Sequence, residues 1–190
     1  MAVGGLIGAA LFAGVVLVRQ GVVGVSAIRV DAGVALAMAA VVGVGITVAE
    51  EPGARAPDVL AYGLGVAGAA VLLGRRRWPV AVLGVTLAVS LGYHLLDYPA
   101  GPPNLPVLVA VYSTAAAGRL LLALLVGGAF TGVGSAYRGL IEGDALGIEA
   151  LSAAALLPTL ALLGDAAYRR RATAGQADAV IDSLGERRSA

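Results

Sequence analysis

The chain contains one histidine, His94, which lies three residues before Asp97 near the end of an apolar run. Residues spaced i and i+3 share one face of a helix, and an imidazole beside a carboxylate can sense pH or relay protons. A zinc site would need further ligands, and the chain has no cysteine. We therefore hypothesise a sensing role for His94 and Asp97, and favour the simpler interpretation of His94 as an interfacial residue.

A glycine pattern, Gly63–Gly68, matches the dinucleotide-binding fingerprint letter for letter. That fingerprint works only where a strand precedes it and a helix opens after it, because helix N-terminal amides must meet a pyrophosphate. Here apolar residues flank the glycines on both sides, so we interpret them as positions where a neighbouring helix approaches closely. No acidic or basic residue lies in the middle of an apolar run. This argues against a transporter that couples to ions or protons. We predict no catalytic residue, no cofactor and no metal.

The composition predicts an all-α integral membrane protein. Hydrophobic residues make up 59% of the 190 residues and charged residues 13%, whereas a soluble domain carries about 25% charged residues. A membrane helix needs about 20 apolar residues, and we predict about seven spans. They are Ala2–Val18, Asp31–Val48 with Asp31 as N-cap, Val59–Gly74, Trp78–Leu96, Leu105–Gly118, Leu120–Tyr137 and Leu146–Gly164. The first span is the weakest, and a six-span core that begins at Asp31 is the alternative.

The positive charges predict the orientation of these spans. All thirteen basic residues are arginines, and eleven of them fall in alternate gaps, at 19–30, 75–77, 119 and 165–190. Arginine-rich short loops stay in the cytoplasm, so we predict a multi-pass plasma-membrane protein with a cytoplasmic C-terminus. The predicted topology anchors are Arg75, Arg76, Arg77, Trp78, Arg169, Arg170 and Arg171. Aromatic residues gather at membrane interfaces, and we predict that Trp78, Tyr93, Tyr98, Tyr137 and Tyr168 form such belts.

The chain divides into a predicted helical bundle, residues 1–164, and a cytoplasmic tail, residues 165–190, which we expect to be partly helical or disordered. A short apolar seam in the tail has i, i+3, i+4, i+7 spacing and consists of Ala177, Val180, Ile181 and Leu184. It is shorter than the three heptads that a coiled coil requires. Pro158 is expected to bend the last span.

From Arg29 onward the order of segments resembles the N-terminal membrane-sensor region of actinobacterial sensor histidine kinases, the relatives of the nitrate- and desaturase-control kinases. The resemblance covers about residues 29–175. The residues that carry it are Arg29–Asp31, Gly74–Leu83, Tyr98–Pro102, Leu105–Ala116 and Gly164–Arg171. It implies a bundle that couples an outside or in-membrane signal to a cytoplasmic helix pair. In that family a phosphoacceptor histidine and an ATP-binding domain follow. No histidine follows His94 in this sequence, and neither kinase segment is expected here, so we predict that the chain is not an enzyme.

The resemblance thus implies the sensory module of a two-component sensor kinase without its catalytic domain, as a truncated product or as a stand-alone partner. The expected partners are the lipid bilayer and either a second copy or a full-length histidine kinase, with no nucleic acid. The alternatives are a small channel or facilitator for a neutral solute, or a structural membrane subunit. The stimulus is not evident from these residues.

Overall fold

The computed structural model of the chain describes residues 27–49, 51, 53–99, 102–141 and 148–189, with only the backbone given at 27, 102, 137–141, 148–154 and 177–189. Within these ranges the protein is all-helical and has no strand. Its helices are α1 (Ala27–Val48), α2 (Val59–Val71), α3 (Pro79–Leu95), α4 (Leu105–Ala115), α5 (Leu120–Ile141) and α6 (Ile148–Ser189), with 3₁₀ turns at Leu72–Gly74 and Pro102–Asn104. The predicted first span, Ala2–Val18, lies outside the described residues.

The start of α1 corrects the predicted role of Asp31 as an N-cap. The helix begins four residues earlier, at Ala27, because Ala27–Val30 contains no residue that interrupts a helix. Asp31 therefore lies in the second turn, where its carboxylate contacts side chains of another segment. An aspartate does cap the next helix: Asp58 accepts hydrogen bonds from the backbone N–H groups of Leu60 and Ala61, at 3.0 and 3.1 Å. Such a cap satisfies amides that have no partner within the helix.

The chain divides into two compact units, and the division along the sequence falls within α4, between Ala110 and Val111. In the first unit, α1, α2 and α3 pack side by side around buried residues such as Val42, Ile46 and Leu83. Glycine allows α2 to approach its neighbours. A Cβ built on Gly65 would stand 2.7 Å from Val42 Cγ1 of α1, and one on Gly68 would stand 3.4 Å from Val89 Cγ1 of α3. The predicted packing role of this glycine pattern is therefore confirmed at these two positions.

In the second unit, α4 ends in a Schellman motif. Gly118 has a φ of +79°, its N–H donates to Ala115 O at 2.9 Å, and the N–H of Arg119 donates to Thr114 O at 3.2 Å. Glycine is favoured at this position because the left-handed conformation costs other residues free energy. The turn connects α4 to α5 after a helix that is three residues shorter than the predicted span Leu105–Gly118.

Helix α6 crosses the end of α4 at very short range. A Cβ built on Gly164 would lie 2.5 Å from the carbonyl oxygen of Tyr112 and 2.9 Å from Ala115 Cβ. One turn further along α6, the ring of Tyr168 comes within 3.0 Å of the corresponding position on Gly118. The two glycines therefore fix how closely these helices meet, because any larger residue would collide with backbone or ring atoms.

The last helix, α6, runs for 42 residues and contains Pro158. The predicted boundary between the bundle and the tail, at residues 164 and 165, falls inside this helix, and the backbone stays helical to Ser189. Side chains from Tyr168 to Gln176 are exposed. The backbone of the predicted seam is helical, and the side chains of the seam are not described.

One helix in the described ranges, at Ile28–Val48, is long and apolar enough to cross a membrane. Four shorter apolar helical segments accompany it, at Val59–Gly74, Pro79–Leu95, Leu105–Ala115 and Leu120–Ala136. The all-α class is confirmed, and the seven-span arrangement remains a prediction.

Candidate functional site

A buried ionic cluster joins the start of α1 to the turn that follows α2. Asp31 Oδ1 accepts hydrogen bonds from Nε and Nη2 of Arg75, at 3.0 and 2.7 Å. The Nε atom of Arg76 lies 2.7 Å from Asp31 Oδ2. The side chains of Asp31 and Arg75 are 7% and 9% exposed, whereas that of Arg76 is 52% exposed. One buried carboxylate thus serves two guanidinium groups, and the cluster carries a net charge of +1.

The other predicted anchors lie at the surface. Arg77 stacks its guanidinium over the exposed ring of Trp78, with 5.2 Å between the carbon of the guanidinium and the ring centroid. Arg169 pairs with Asp165 one turn earlier on α6, at 2.6 Å, and the neighbouring Arg170 and Arg171 are exposed. The arginine triplet at 75–77 therefore contains one buried member, whereas the triplet at 169–171 lies entirely on an exposed helix.

A second polar cluster lies at the opposite end of α2, around its N-cap. Asp58 Oδ1 accepts a hydrogen bond from the hydroxyl of Tyr98 at 2.6 Å, and Asp58 Oδ2 lies 2.6 Å from Arg55 Nη2. The guanidinium of Arg55 also lies 5.0 Å from the centroid of the Tyr98 ring. The cluster joins the segment between α1 and α2 to the segment after α3.

These contacts change how the two partners titrate. The hydrogen bond from Tyr98 is the main cause that lowers the pKa of Asp58 to about 2, with help from the amide of Ala61 and from Arg55. Burial raises the pKa of the Tyr98 hydroxyl, and the hydrogen bond to Asp58 adds to this shift. Asp58 is therefore an anion, and Tyr98 a neutral donor, over the whole physiological range of pH.

His94 and Asp97 do not share a helical face, contrary to the prediction. Helix α3 ends at Leu95, and Asp97 has a left-handed φ of +57° that turns the chain away from the helix axis. The N–H of Asp97 donates to His94 O at 3.0 Å, and its carbonyl accepts the N–H of Arg55 at 2.7 Å. The Nδ1 atom of His94 lies 2.7 Å from Ser90 O. Asp97 thus borders the Asp58 cluster through its backbone carbonyl, whereas the polar contact of the His94 ring is to its own helix, at Ser90 O.

Tyr93 and Tyr98 are buried, so their predicted place in an interfacial aromatic belt is wrong. Tyr93 is 0% and Tyr98 3% exposed, and their ring centroids are 5.0 Å apart. Nearby, the hydroxyl of Ser90 donates to Asn104 Oδ1. The hydroxyl of Tyr93 has no hydrogen-bond partner among the described residues. Trp78 and Tyr168, by contrast, are 62% and 45% exposed, as the belt requires.

The described residues enclose two cavities of about 370 Å³, one in each unit. One, in the first unit, is an open groove lined by small residues and by Glu51, Arg55 and Pro99. The other, in the second unit, lies between α5 and α6. It is lined by Ala123, Leu124, Gly127, Gly128, Thr131, Gly132, Ser135, Leu157 and Pro158. Thr131 bonds its own helix at Gly127 O, so this groove is largely apolar.

Sequence reasoning identified the arginine triplet but not its partner. Asp31 and Arg75 are 44 positions apart, and no local spacing connects them. The predicted topology did place residues 19–30 and 75–77 on the same side of the membrane, and this was the one indication in the sequence that the two segments could lie close together. Among the described residues, no group of three or more potential metal ligands comes together. The two clusters join the two ends of α2 to neighbouring segments.

Comparison with known proteins gives one family. Residues 22–172, most of the chain, match the family described as a domain of unknown function, DUF7134. Searches of curated proteins and of solved structures found no match. The match includes both polar clusters, the Schellman turn and the crossing at Gly164. The chain belongs to the DUF7134 family.

Proposed function

We propose that this chain is a multi-pass membrane module. A change in the conformation of its helical bundle would be transmitted along α6 to a helical partner in the cytoplasm. In this proposal it acts like the membrane-sensor region of a sensor histidine kinase, which it resembles in sequence. The observation that carries the proposal is the continuity of α6, which runs from an apolar half through the arginine triplet into a charged half.

The length of α6 supports this role. A helix rises about 1.5 Å per residue, so its 42 residues extend about 63 Å. The hydrocarbon core of a bilayer is about 30 Å thick. A helix of this length that crosses the bilayer has about half of its residues outside the hydrocarbon, and the exposed side chains from Tyr168 to Gln176 support this assignment for the second half of α6.

The distribution of polar and apolar side chains supports a lipid environment. Large apolar residues are strongly exposed, such as Val59 at 89%, Leu36 at 72% and Leu121 at 70%. Asp31 and Arg75, by contrast, are buried. A monomeric soluble protein rarely exposes large contiguous apolar patches. In a bilayer the same surface is covered by acyl chains, and the polar groups face the protein interior.

The close crossing of α6 and α4 provides a place where the bundle can act on the exit helix. Gly164 and Tyr168 of α6 meet Tyr112 and Gly118, just before the exposed arginines. Tight packing transmits displacement because interiors resist compression. A change in the position of α4 would thus reach α6 at the predicted cytoplasmic boundary.

Orientation is tested with single cysteines, since the chain has none of its own. In intact cells, an impermeant thiol reagent should label Ala56→Cys and leave Arg77→Cys and Gly175→Cys unlabelled until the cells are opened. Gly175 has no neighbouring atom within 4 Å of a built Cβ, so a cysteine there is accessible. Labelling of Arg77→Cys or Gly175→Cys from outside would overturn the arrangement.

Transmission is tested by disulfide crosslinking of the tail in membranes. Cysteines at the seam positions Val180 and Leu184 should form dimers, with a second copy or a kinase partner, faster than cysteines at Asp178 and Asp182. The seam alone is too short to hold a helix pair in water, so the bundle must supply most of the affinity. Equal crosslinking at all four positions would contradict the proposal.

A second candidate function is the passage of a neutral solute. The groove between α5 and α6 supports it, because Gly128 and Gly132 face open space and no charge lines the cavity. Liposomes that contain the protein should then release a neutral solute faster than empty liposomes, and Gly128→Leu should abolish the difference. Equal release with and without protein would exclude this function.

A further inference from the structure

The three arginines at 75–77 differ in how far their charge is already compensated. Both contacts of Arg75 are to the buried Asp31, and its side chain is nearly inaccessible. Arg76 bonds Asp31 through Nε, and its Nη atoms have no partner among the described residues. Among the described residues, the side-chain contact of Arg77 is with the face of Trp78. Within this part of the chain, two guanidinium groups therefore keep N–H donors without a partner.

The surroundings of these donors are both cationic and apolar. Asp31 is the one carboxylate that contacts the triplet within the described ranges, so it neutralises one charge of three. Trp78 is 62% exposed and Leu73, in the preceding 3₁₀ turn, is 51% exposed. Arginine binds phosphate oxygens through paired N–H groups. A free phosphate would leave the exposed indole and leucine uncovered, whereas a phospholipid would cover them with its acyl chains.

We propose that Arg76, Arg77 and Trp78 form a binding site for the headgroup phosphate of an anionic phospholipid. The site rests on the proposed membrane orientation, which places the triplet at the cytoplasmic leaflet. Asp31 is a positioning residue for this site: it binds Nε of Arg76, while the half-exposed side chain of Arg76 keeps its remaining N–H groups accessible. Anionic lipids concentrate in the cytoplasmic leaflet, where each arginine near the surface adds to the attraction.

The second arginine triplet supplies a matched control. Arg169 is paired with Asp165, and Arg170 and Arg171 project from an exposed stretch of α6 without a stacked indole. Arg170→Gln with Arg171→Gln removes the same charge as Arg76→Gln with Arg77→Gln. A general attraction of positive charge to the membrane would respond equally to both double variants.

Trp78 is the only tryptophan of the chain, so its fluorescence reports on this site alone. The full chain is placed in phosphatidylcholine bilayers that contain a small fraction of brominated lipid, which quenches the indole on contact. Brominated phosphatidylglycerol should quench at a lower mole fraction than brominated phosphatidylcholine, by about fivefold for each of the two arginines. Arg76→Gln with Arg77→Gln should abolish this preference, and Arg170→Gln with Arg171→Gln should keep it.

The wild-type protein gives a second measurement that needs no variant. The preference for phosphatidylglycerol should fall as salt is raised, because screening weakens exposed charges, and excess inorganic phosphate should not remove it. Equal quenching by both lipids, an unchanged preference at high salt, or full competition by inorganic phosphate would each overturn the proposal and leave the membrane function intact. Absence of quenching by either lipid would overturn the membrane function itself.

Discussion

Replacing Asp31 by asparagine removes the carboxylate that compensates Arg75. The Arg75 side chain is 9% exposed, so its charge cannot be hydrated where it lies. Removal of one partner from a buried ion pair costs about 3–5 kcal/mol. We expect Asp31→Asn to lower the free energy of unfolding by about 3 kcal/mol, at the lower end of this range, because the asparagine carbonyl still accepts one hydrogen bond.

The same carboxylate should contribute little through Arg76. That side chain is 52% exposed, and exposed pairs contribute about 0.2–1 kcal/mol. Arg76→Gln should therefore cost less than about 1 kcal/mol, although both arginines contact the same aspartate at nearly equal distances. The expected difference in free energy between the two ion pairs therefore comes from the burial of Arg75 and not from the distances to Asp31.

A double-mutant cycle measures both couplings. Asp31→Asn, Arg75→Gln, Arg76→Gln and the two double variants are unfolded reversibly in mixed micelles, with Trp78 fluorescence and circular dichroism as independent probes. The coupling of Asp31 to Arg75 should exceed its coupling to Arg76 by about 2 kcal/mol. Equal couplings, or an Asp31→Asn variant as stable as the parent, would refute the assignment of a buried pair.

Gly164→Ala should lower the free energy of unfolding by about 1–3 kcal/mol through collision with backbone atoms, whereas Gly175→Ala, on the open part of α6, should raise helix stability by about 1 kcal/mol; thermal unfolding compares them. Asp97→Gly should stabilise the protein by up to about 1 kcal/mol, because glycine adopts a positive φ without strain, and a loss of stability would show that its side chain matters. The lowered pKa of Asp58 implies a contribution to stability that is complete above its ordinary pKa of 3.8 and is lost as pH falls through about 2. Tyr98→Phe should return this pKa toward 3.8 in a carboxyl NMR titration, and an unchanged value would contradict the hydrogen bond as its main cause.

The helical class and most helix positions follow from the sequence because apolar runs and charged gaps are local signals. Asp58, which follows a proline and precedes an apolar run, is a local cap signal of the same kind. The start of α1 was predicted wrongly, since an aspartate suited to an N-cap can equally serve a distant arginine. Local spacing cannot distinguish these two uses.

The sites were less predictable because they depend on contacts between distant segments. The triplet at 75–77 reads as three equivalent charges, and only the packing of α1 on α2 makes Arg75 differ from Arg77. The positive φ of Asp97, which precedes the buried Tyr98, likewise could not be predicted from the presence of an aspartate at that position. The left-handed turn at Gly118, by contrast, could be expected from a glycine that directly precedes Arg119 between two apolar runs.

Because α6 is continuous, the number of residues between two points on it determines how the two points are rotated relative to each other around the helix axis. Successive residues of an α-helix differ by about 100° around the axis and by about 1.5 Å along it. One residue inserted after Arg171 would therefore turn the whole far end by about 100°, since no joint in the helix can absorb the rotation. Seven inserted residues would restore nearly the original direction after about two turns, with a displacement along the axis alone. Binding of a partner that recognises one face of α6 should thus vary periodically with the number of inserted residues. Binding of a partner connected through a flexible linker should depend only on the length of the insertion.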